Sequence, residues 1–245
     1  MAGNVNIASS TRAFDRAIPL IMKLLAIDTA LEACSVVAMV GGDQEPVIVS
    51  EVVGRGHAER VFGMIESAME EAGLAFAELD RIGVTIGPGS FTGLRVGIAA
   101  ARGLALVVGC PVIGVGTLAV HAETARGLAG AVPVLAVLDA RREEVYGQYF
   151  SAAGDPIGEP QLGPAEYFAS KVESGDVLAG AGADIIAPHL TPGLAVPIVH
   201  RRSAPDILTL ANISLRAAAS GLAPRPLYLR PPDAKPQTNW KVARQ

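Results

Sequence analysis

The feature that most constrains this chain is a glycine-rich turn followed at once by a helix with almost no polar side. The stretch reads IGPGSFTGLRVGIAAARGLA and covers residues 86–105. From Val96 to Val108 only Arg102 is polar, and many of the other residues are small. A helix that is apolar nearly all round is buried on more than one side. One side fits the chain's own sheet. The other side is covered by a partner protein or by the chain's own second half, and we favour the partner.

The turn itself has two interpretations. Gly87 and Gly89 allow a positive φ or a close backbone approach, and Ser90 is placed to cap the helix. The free N–H groups of a helix start attract anions, so one interpretation is a phosphate site. However, no Lys-Ser or Lys-Thr follows, the spacing is not GxGxxG, and the serine lacks the flanking glycines of a hydrolase elbow. The alternative is a tight strand-to-helix turn with no ligand.

Composition narrows the class of protein. The chain has 245 residues, 50% of them hydrophobic, and a formal net charge of −4. These values indicate a folded, core-rich protein and argue against a basic nucleic-acid footprint. Cys34 and Cys110 form no CxxC pair, and Arg95 and Arg102 interrupt the longest apolar run. We therefore expect a cytoplasmic protein with no membrane span.

Periodicity predicts an α/β domain that opens with an antiparallel meander. The predicted elements of the first half are strands over Leu24–Asp28, Cys34–Val40 and Glu45–Val53, a helix over His57–Ala72, a strand RIGVTIG, a helix over Phe91–Val108 and a strand PVIGVG.

The second half repeats the theme. It opens with a hairpin, VPVLAVLDA and EEVYGQYF, followed by a strand in GDVLAGAGA and a helix over Pro205–Ser220. Asp28 and Asp139 each end the first strand of a half, with Glu32 and Glu143 four residues later. This echo suggests a duplicated domain. We divide the chain into a tail or upstream-start extension (1–21), two related subdomains (22–125 and 126–230) and a loose C-terminal tail (231–245).

The four histidines give no metal site. His57, His121, His189 and His200 include no pair at ligand spacing, and no serine triad is favoured by order or spacing. We therefore expect neither a metal nor catalytic residues.

Five segments in series resemble one family. LLAIDTALEACSVVAMV, GHAERVFGMIESAMEEAG, the glycine loop with its helix, VLDARREEVYGQYF and PLYLR are similar to the TsaB (YeaZ) family from Met22 to about Arg230. The resemblance implies an actin-like (ASKHA, ribonuclease H-like) fold of two related halves. It also implies a non-catalytic partner that binds and activates TsaD, with TsaE completing the machinery for threonylcarbamoyladenosine on tRNA.

The family pairs its two N-terminal-half helices with those of TsaD. The implied interface residues, chosen here as the apolar centre of both helices, are Val61, Phe62, Ile65, Met69, Gly97, Ile98, Ala101, Leu104 and Val108. TsaD-like proteins hold a metal with two histidines four apart on a helix, whereas this chain has His57 and then Val61. The resemblance thus implies no activity of its own, no required cofactor, and contact with tRNA only through the complex. The unpaired apolar face of the helices predicts a homodimer when the chain is alone.

A second hypothesis is an independent actin-like kinase or ATPase. Its phosphate site would be Asp28, Thr29, Gly87, Gly89 and Ser90. Residue 30 is alanine where the family commonly has serine, and the loss of this hydroxyl weakens the case. Weak binding of ATP or ADP stays open.

Overall fold

The computed structural model describes residues 22–41, 44–54, 56–219 and 221–230. The expectations for residues 1–21 and 231–245 lie outside this part of the chain. The strands are β1 (Lys23–Asp28), β2 (Ala33–Val40), β3 (Val47–Val52), β4 (Arg81–Gly87), β5 (Val112–Gly116), β6 (Val134–Asp139), β7 (Glu144–Phe150), β8 (Pro156–Pro164), β9 (Val177–Ala179) and β10 (Ile198–His200). The helices are α1 (His57–Glu71), α2 (Phe91–Val108), α3 (Thr117–Ala129), α4 (Ala165–Ala169), α5 (Ala183–Ile186) and α6 (Ile207–Arg216).

The two halves share one topology. The first sheet has the order β3-β2-β1-β4-β5, and the second has β10-β9-β6-β7-β8. Read from its own first strand, each sheet has an antiparallel meander on one side and two parallel strands on the other. This repetition confirms the predicted actin-like fold of two related halves.

The last helix of each half packs across the junction. Leu118, Ala122 and Ala125 of α3 share a core with Val134 and Leu138 of the second sheet. In turn, Ile207, Leu210 and Ala211 of α6 share a core with Leu24 and Val37 of the first sheet. The proposed division at residue 125 stays a prediction, but the final helices are exchanged between the halves.

The predicted elements are close to the observed ones. The strand RIGVTIG and the helix Phe91–Val108 have the predicted bounds, whereas the last helix is shorter than predicted, at Ile207–Arg216. The patterns did not indicate α3 or β8. Eight of the nine residues of β8 are partly or fully exposed, so it has no alternation of buried and exposed positions to detect.

α2 is the central helix of the first half. By length and composition alone, α2 could cross a membrane, but 39% of this 18-residue helix is buried inside the fold. Its buried residues include Ile98, Ala100 and Ala101, which pack in the same core as Ile65 of α1 and Val84 of β4. This packing assigns α2 to a folded core, with one face left to solvent.

Candidate partner-binding face and hairpin site

The carboxylate of Asp28 lies at the end of β1 and is wholly buried. Its Oδ1 accepts hydrogen bonds from Thr85 Oγ1 at 2.6 Å and from the Ala30 N–H at 3.1 Å. Its Oδ2 is buried without a hydrogen-bond partner in the part of the chain that the structure describes. Burial raises the pKa of Asp28 to about 6, against the opposing effect of the Thr85 hydrogen bond.

The glycine loop packs directly on the turn between β1 and β2. A Cβ on Gly89 would lie 2.4 Å from the Ala30 carbonyl oxygen, and one on Gly93 would lie 2.1 Å from that of Thr29. Gly87 has φ 113°, and a Cβ there would lie 2.8 Å from the Leu227 carbonyl oxygen. Glycine is therefore required because backbone approaches backbone.

Protein groups also occupy the start of α2. The Ser90 N–H donates to the Ala30 carbonyl at 2.6 Å, and Ser90 Oγ caps the helix by accepting from the Gly93 N–H at 3.3 Å. Thr29 Oγ1 donates to the Gly93 carbonyl at 2.7 Å. The structure thus brings four of the five candidate phosphate-binding residues, Asp28, Thr29, Gly89 and Ser90, together in a packed junction and not in an open cradle. The fifth, Gly87, packs against Leu227. Nucleotide binding itself stays a prediction.

Most of the predicted interface residues do not reach the surface. Six of the nine are buried in the core of the first half: Val61, Ile65, Met69, Gly97, Ile98 and Ala101. Their side chains hold α1 and α2 on the first sheet, and a Cβ on Gly97 would meet Thr29 Oγ1 at 2.4 Å. The prediction for these six is therefore wrong at the level of residues, because they cannot contact a partner in this fold. Leu104 and Val108 are half-buried, and Phe62 is 53% exposed.

The outer surface of α1 and α2, which we call the helix-pair face, shares only Phe62 with the nine predicted residues. Leu106 and Val107 are 86% and 87% exposed, far above the ordinary exposure of such side chains. A Cβ on Gly63 or Gly103 would meet nothing within 4 Å. The exposed members of the face are Glu59, Phe62, Gly63, Glu66 and Glu70 on α1 and Arg95, Ala99, Arg102, Gly103, Leu106 and Val107 on α2.

The helix-pair face combines three properties of an interface. It has exposed apolar side chains, small residues that let another helix approach closely, and opposite charges on its two helices. A groove of about 490 Å³ adjoins its end, where Leu106 and Cys110 face the segment at Leu222. Exposed apolar patches of this kind mark interaction sites.

An aromatic cluster closes the other end of the face. Arg95 lies over the Phe91 ring at 3.8 Å, and its Nε donates to Tyr228 Oη at 2.8 Å. The Phe91 and Tyr228 rings are 4.9 Å apart. The sequence did not indicate this contact because it joins residues far apart in the chain.

The helix start at His57 holds no metal pair. His57 is buried, and its Nε2 lies 2.9 Å from the Leu31 carbonyl oxygen. Across the described ranges, no group of three or more His, Cys, Asp or Glu side chains could hold a metal ion. His57 therefore ties α1 to the β1–β2 turn.

Comparison with known proteins places this arrangement in a family. A family model described as "TsaD: tRNA N6-adenosine threonylcarbamoyltransferase" matches residues 41–173. The solved structure "YeaZ from Pseudomonas aeruginosa" is similar over 85% of this chain and 100% of that chain, with a TM-score of 0.68 and 30% identity. The chain belongs to the TsaB/YeaZ family.

Named relatives agree with this assignment. "tRNA threonylcarbamoyladenosine biosynthesis protein TsaB" of Escherichia coli is 42% identical over 125 residues, which is 51% of this chain. The match spans about half of that TsaB relative's own length, 53%. An uncharacterized protein of Mycobacterium tuberculosis is 37% identical over 220 residues, covering 88% of this chain and 95% of the relative. The family is thus named for tRNA threonylcarbamoyladenosine biosynthesis.

Proposed function

We propose that this TsaB/YeaZ chain is the partner subunit that binds and activates TsaD for threonylcarbamoyl transfer to the adenosine beside the anticodon of tRNA. The observation that carries the proposal is the helix-pair face, an exposed surface with small residues at Ala99 and Gly103 and large apolar residues at Leu106 and Val107. TsaE completes the assembly, and tRNA is reached through the complex.

The residues of the helix-pair face can account for both the affinity and the specificity of a complex with TsaD. A stable specific complex buries about 1,600 Å² in total, with a few large anchors providing most of the affinity. Phe62 and Leu106 supply such anchors, while Gly63 and Gly103 allow close helix packing. The carboxylates of α1 and the arginines of α2 fix the orientation of the partner and exclude partners of the wrong charge pattern.

A homodimer would use the same surface in the absence of TsaD. The helix-pair face is acidic on α1 and basic on α2, so a two-fold axis would bring each helix against its opposite in a second copy. On this proposal the homodimer and the TsaD complex compete for one face.

The alternative function, an actin-like kinase or ATPase, draws support from Asp28. A wholly buried carboxylate with a raised pKa, and with one oxygen that lacks a hydrogen-bond partner within the described ranges, is characteristic of functional sites. Against it, the β1–β2 turn and the start of α2 fill the space where a phosphate would lie. We therefore favour a subunit with no turnover of its own.

Gly103→Phe tests the interface with little risk to the fold. Its Cβ points into open space, and replacing a mid-helix glycine does not lower helix propensity. The bulky ring should hold the helices apart, so we expect at least a tenfold loss in affinity for TsaD, measured by calorimetry. Gly127→Phe is the matched control, since Gly127 lies exposed in α3 with no atom within 4 Å of its Cβ. Equal affinity of the two variants would overturn the assignment of the face.

A further inference from the structure

A stacked pair of histidines joins the two halves away from the helix-pair face. His121 lies on α3, and His200 ends β10. Both side chains are buried, their ring centroids are 5.3 Å apart, and the rings are 29° from parallel. Neither ring has a role in the proposed binding of TsaD.

The pair forms a reciprocal clasp through two ring-to-backbone hydrogen bonds. His200 Nε2 lies 3.1 Å from the His121 carbonyl oxygen, and His121 Nε2 lies 3.1 Å from the Ser203 carbonyl oxygen. Because a carbonyl only accepts, each Nε2 carries the proton and donates it. His200 Nδ1 is buried without a hydrogen-bond partner in the described part of the chain. A second proton on that ring would therefore have no acceptor.

The clasped segment connects the second sheet to the first half. It runs from His200 to Asp206, whose side chain caps α6 on the Thr209 N–H at 2.8 Å. Within it, Ser203 Oγ donates to the carboxylate of Glu32 in the β1–β2 turn. The same turn is hydrogen-bonded to both helices: His57 of α1 contacts the Leu31 carbonyl, and the Ser90 N–H at the start of α2 donates to the Ala30 carbonyl. The crossing segment (residues 200–206) thus links the second half to the turn on which both helices of the partner face rest.

The surroundings of the rings oppose a positive charge. Burial lowers the pKa of His121 to about 3, with further lowering by His200 and Arg202 and an opposing effect of the Ser203 hydrogen bond. Burial also lowers the pKa of His200, where Arg202 adds to the effect and the His121 hydrogen bond and Asp206 oppose it. Glu32 is one hydrogen bond away through Ser203. Both rings are therefore favoured in their neutral form as long as the crossing segment stays packed around them.

We propose that the His121–His200 pair is a proton-sensitive clasp: protonation of either ring releases the crossing segment and loosens the contact between the second half and the β1–β2 turn. A proton on either ring places a charge against its stacked neighbour and against Arg202. Opening the segment exposes both rings to water and removes that penalty. The clasp is a feature of the chain alone and stands independently of the proposed function.

The sign of the pH effect follows from the neutral form. Each histidine has a lower pKa in the closed state than in an open, hydrated one, so the closed state is fully favoured above about pH 6.5. The preference for the closed state declines as the pH falls from about 6.5 towards the lowered pKa values of the two buried rings. The crossing segment should open more often at pH 5 than at pH 7.5, before the core of either half unfolds.

Hydrogen exchange of the full chain, read by mass spectrometry at pH 7.5 and 5.0 and corrected for intrinsic rates, tests the clasp. The N–H groups of Gly180 and Thr209 donate to the His200 carbonyl and to the Asp206 carboxylate, at the two ends of the crossing segment. We expect peptides covering these two residues to lose at least tenfold protection at pH 5.0, while β1 and β6 keep theirs. In the double variant His121→Gln and His200→Gln, which keeps a donor at each ring position and cannot be protonated, the pH effect should disappear. His189→Gln is the control, since His189 is half-exposed beside Glu166 and should leave the effect unchanged.

Two results would overturn the clasp. One is protection of the Gly180 and Thr209 amides in the native chain that is equal at the two pH values. The other is a pH effect that persists in the double variant. If the double variant does not fold, proton NMR of the native chain decides: a His121 ring that titrates near 6.5 while the Gly180 and Thr209 amides stay protected would contradict the proposal.

Discussion

At the scale of single residues, Asp28 holds a wholly buried carboxylate in a closed junction at the end of β1. Its Oδ2 has no hydrogen-bond partner among the described residues, although the sequence suggested a ligand there. Its raised pKa means that the folded state binds a proton more tightly than the unfolded state. The contribution of this group to stability is therefore greatest below pH 3.8 and is lost as the pH rises through about 6.

Asp28→Asn should stabilise the isolated chain at neutral pH. The amide keeps the acceptor for Thr85 and Ala30 and removes a buried charge, so we expect a gain of about 1–3 kcal/mol at pH 7. Urea unfolding at pH 7 and at pH 4 measures it, and the gain should shrink at the lower pH. A loss of stability that is larger at pH 7 than at pH 4 would show that the fold favours the ionised carboxylate and would revive the nucleotide-binding hypothesis, whereas an equal loss at both pH values would come from the unpaired amide N–H groups.

At the scale of elements, helix bounds were predictable and helix orientation was not. The Ser90 cap and the Gly109 stop are local signals, and they gave α2 its observed ends. The buried side of α2 is set by the contacts of Gly93 and Gly97 with Thr29. Thr29 precedes these two glycines by 64 and 68 residues in the chain. An all-apolar helix does not reveal its phase, so Leu106 and Val107 were missed as surface residues and Ile98 was misplaced on the interface.

The attachment of α6 illustrates a contact that no local pattern encodes. Arg81 of β4 donates from Nη1 to the carbonyls of Ser214, Leu215 and Ala217 at 2.7, 3.0 and 2.9 Å. These are the last carbonyls of the helix, where a cation is favoured by the helix dipole. The arginine thus caps a helix that belongs to the other half of the chain.

Arg81→Met should weaken this cap. Hydrogen bonds from a charged donor contribute about 1.5–3 kcal/mol, so we expect a loss of about 2–3 kcal/mol in urea unfolding and faster hydrogen exchange across α6. Arg81→Lys retains the charge and should recover part of the loss. If the methionine variant matched the native chain, the carbonyl contacts would not contribute to stability.

At the scale of the whole molecule, duplication explains both what was predictable and what was not. The echo of Asp28 and Asp139 revealed two related halves, because each begins with the same strand and turn. It did not reveal the exchange of α3 and α6, because that exchange depends on contacts of each helix with the sheet of the other half. The same packing creates the crossing segment and leaves the helix-pair face on the outside of the first half.

This arrangement separates two roles within one chain. The cores of the halves and the exchanged helices hold the fold, while the helix-pair face is free for another protein. The proposed function assigns that face to TsaD and expects the chain to contribute contacts, not chemistry. We therefore expect this chain to activate TsaD through the helix-pair face.

The most direct test is threonylcarbamoyl transfer to tRNA by purified TsaD and TsaE, with this chain, without it, and with its Gly103→Phe and Gly127→Phe variants. We expect transfer that depends on the chain, falls at least tenfold with Gly103→Phe and is unchanged with Gly127→Phe, with no ATP hydrolysis by the chain alone. Transfer that proceeds equally without the chain, together with ATP hydrolysis by the chain alone, would contradict it and favour the kinase or ATPase.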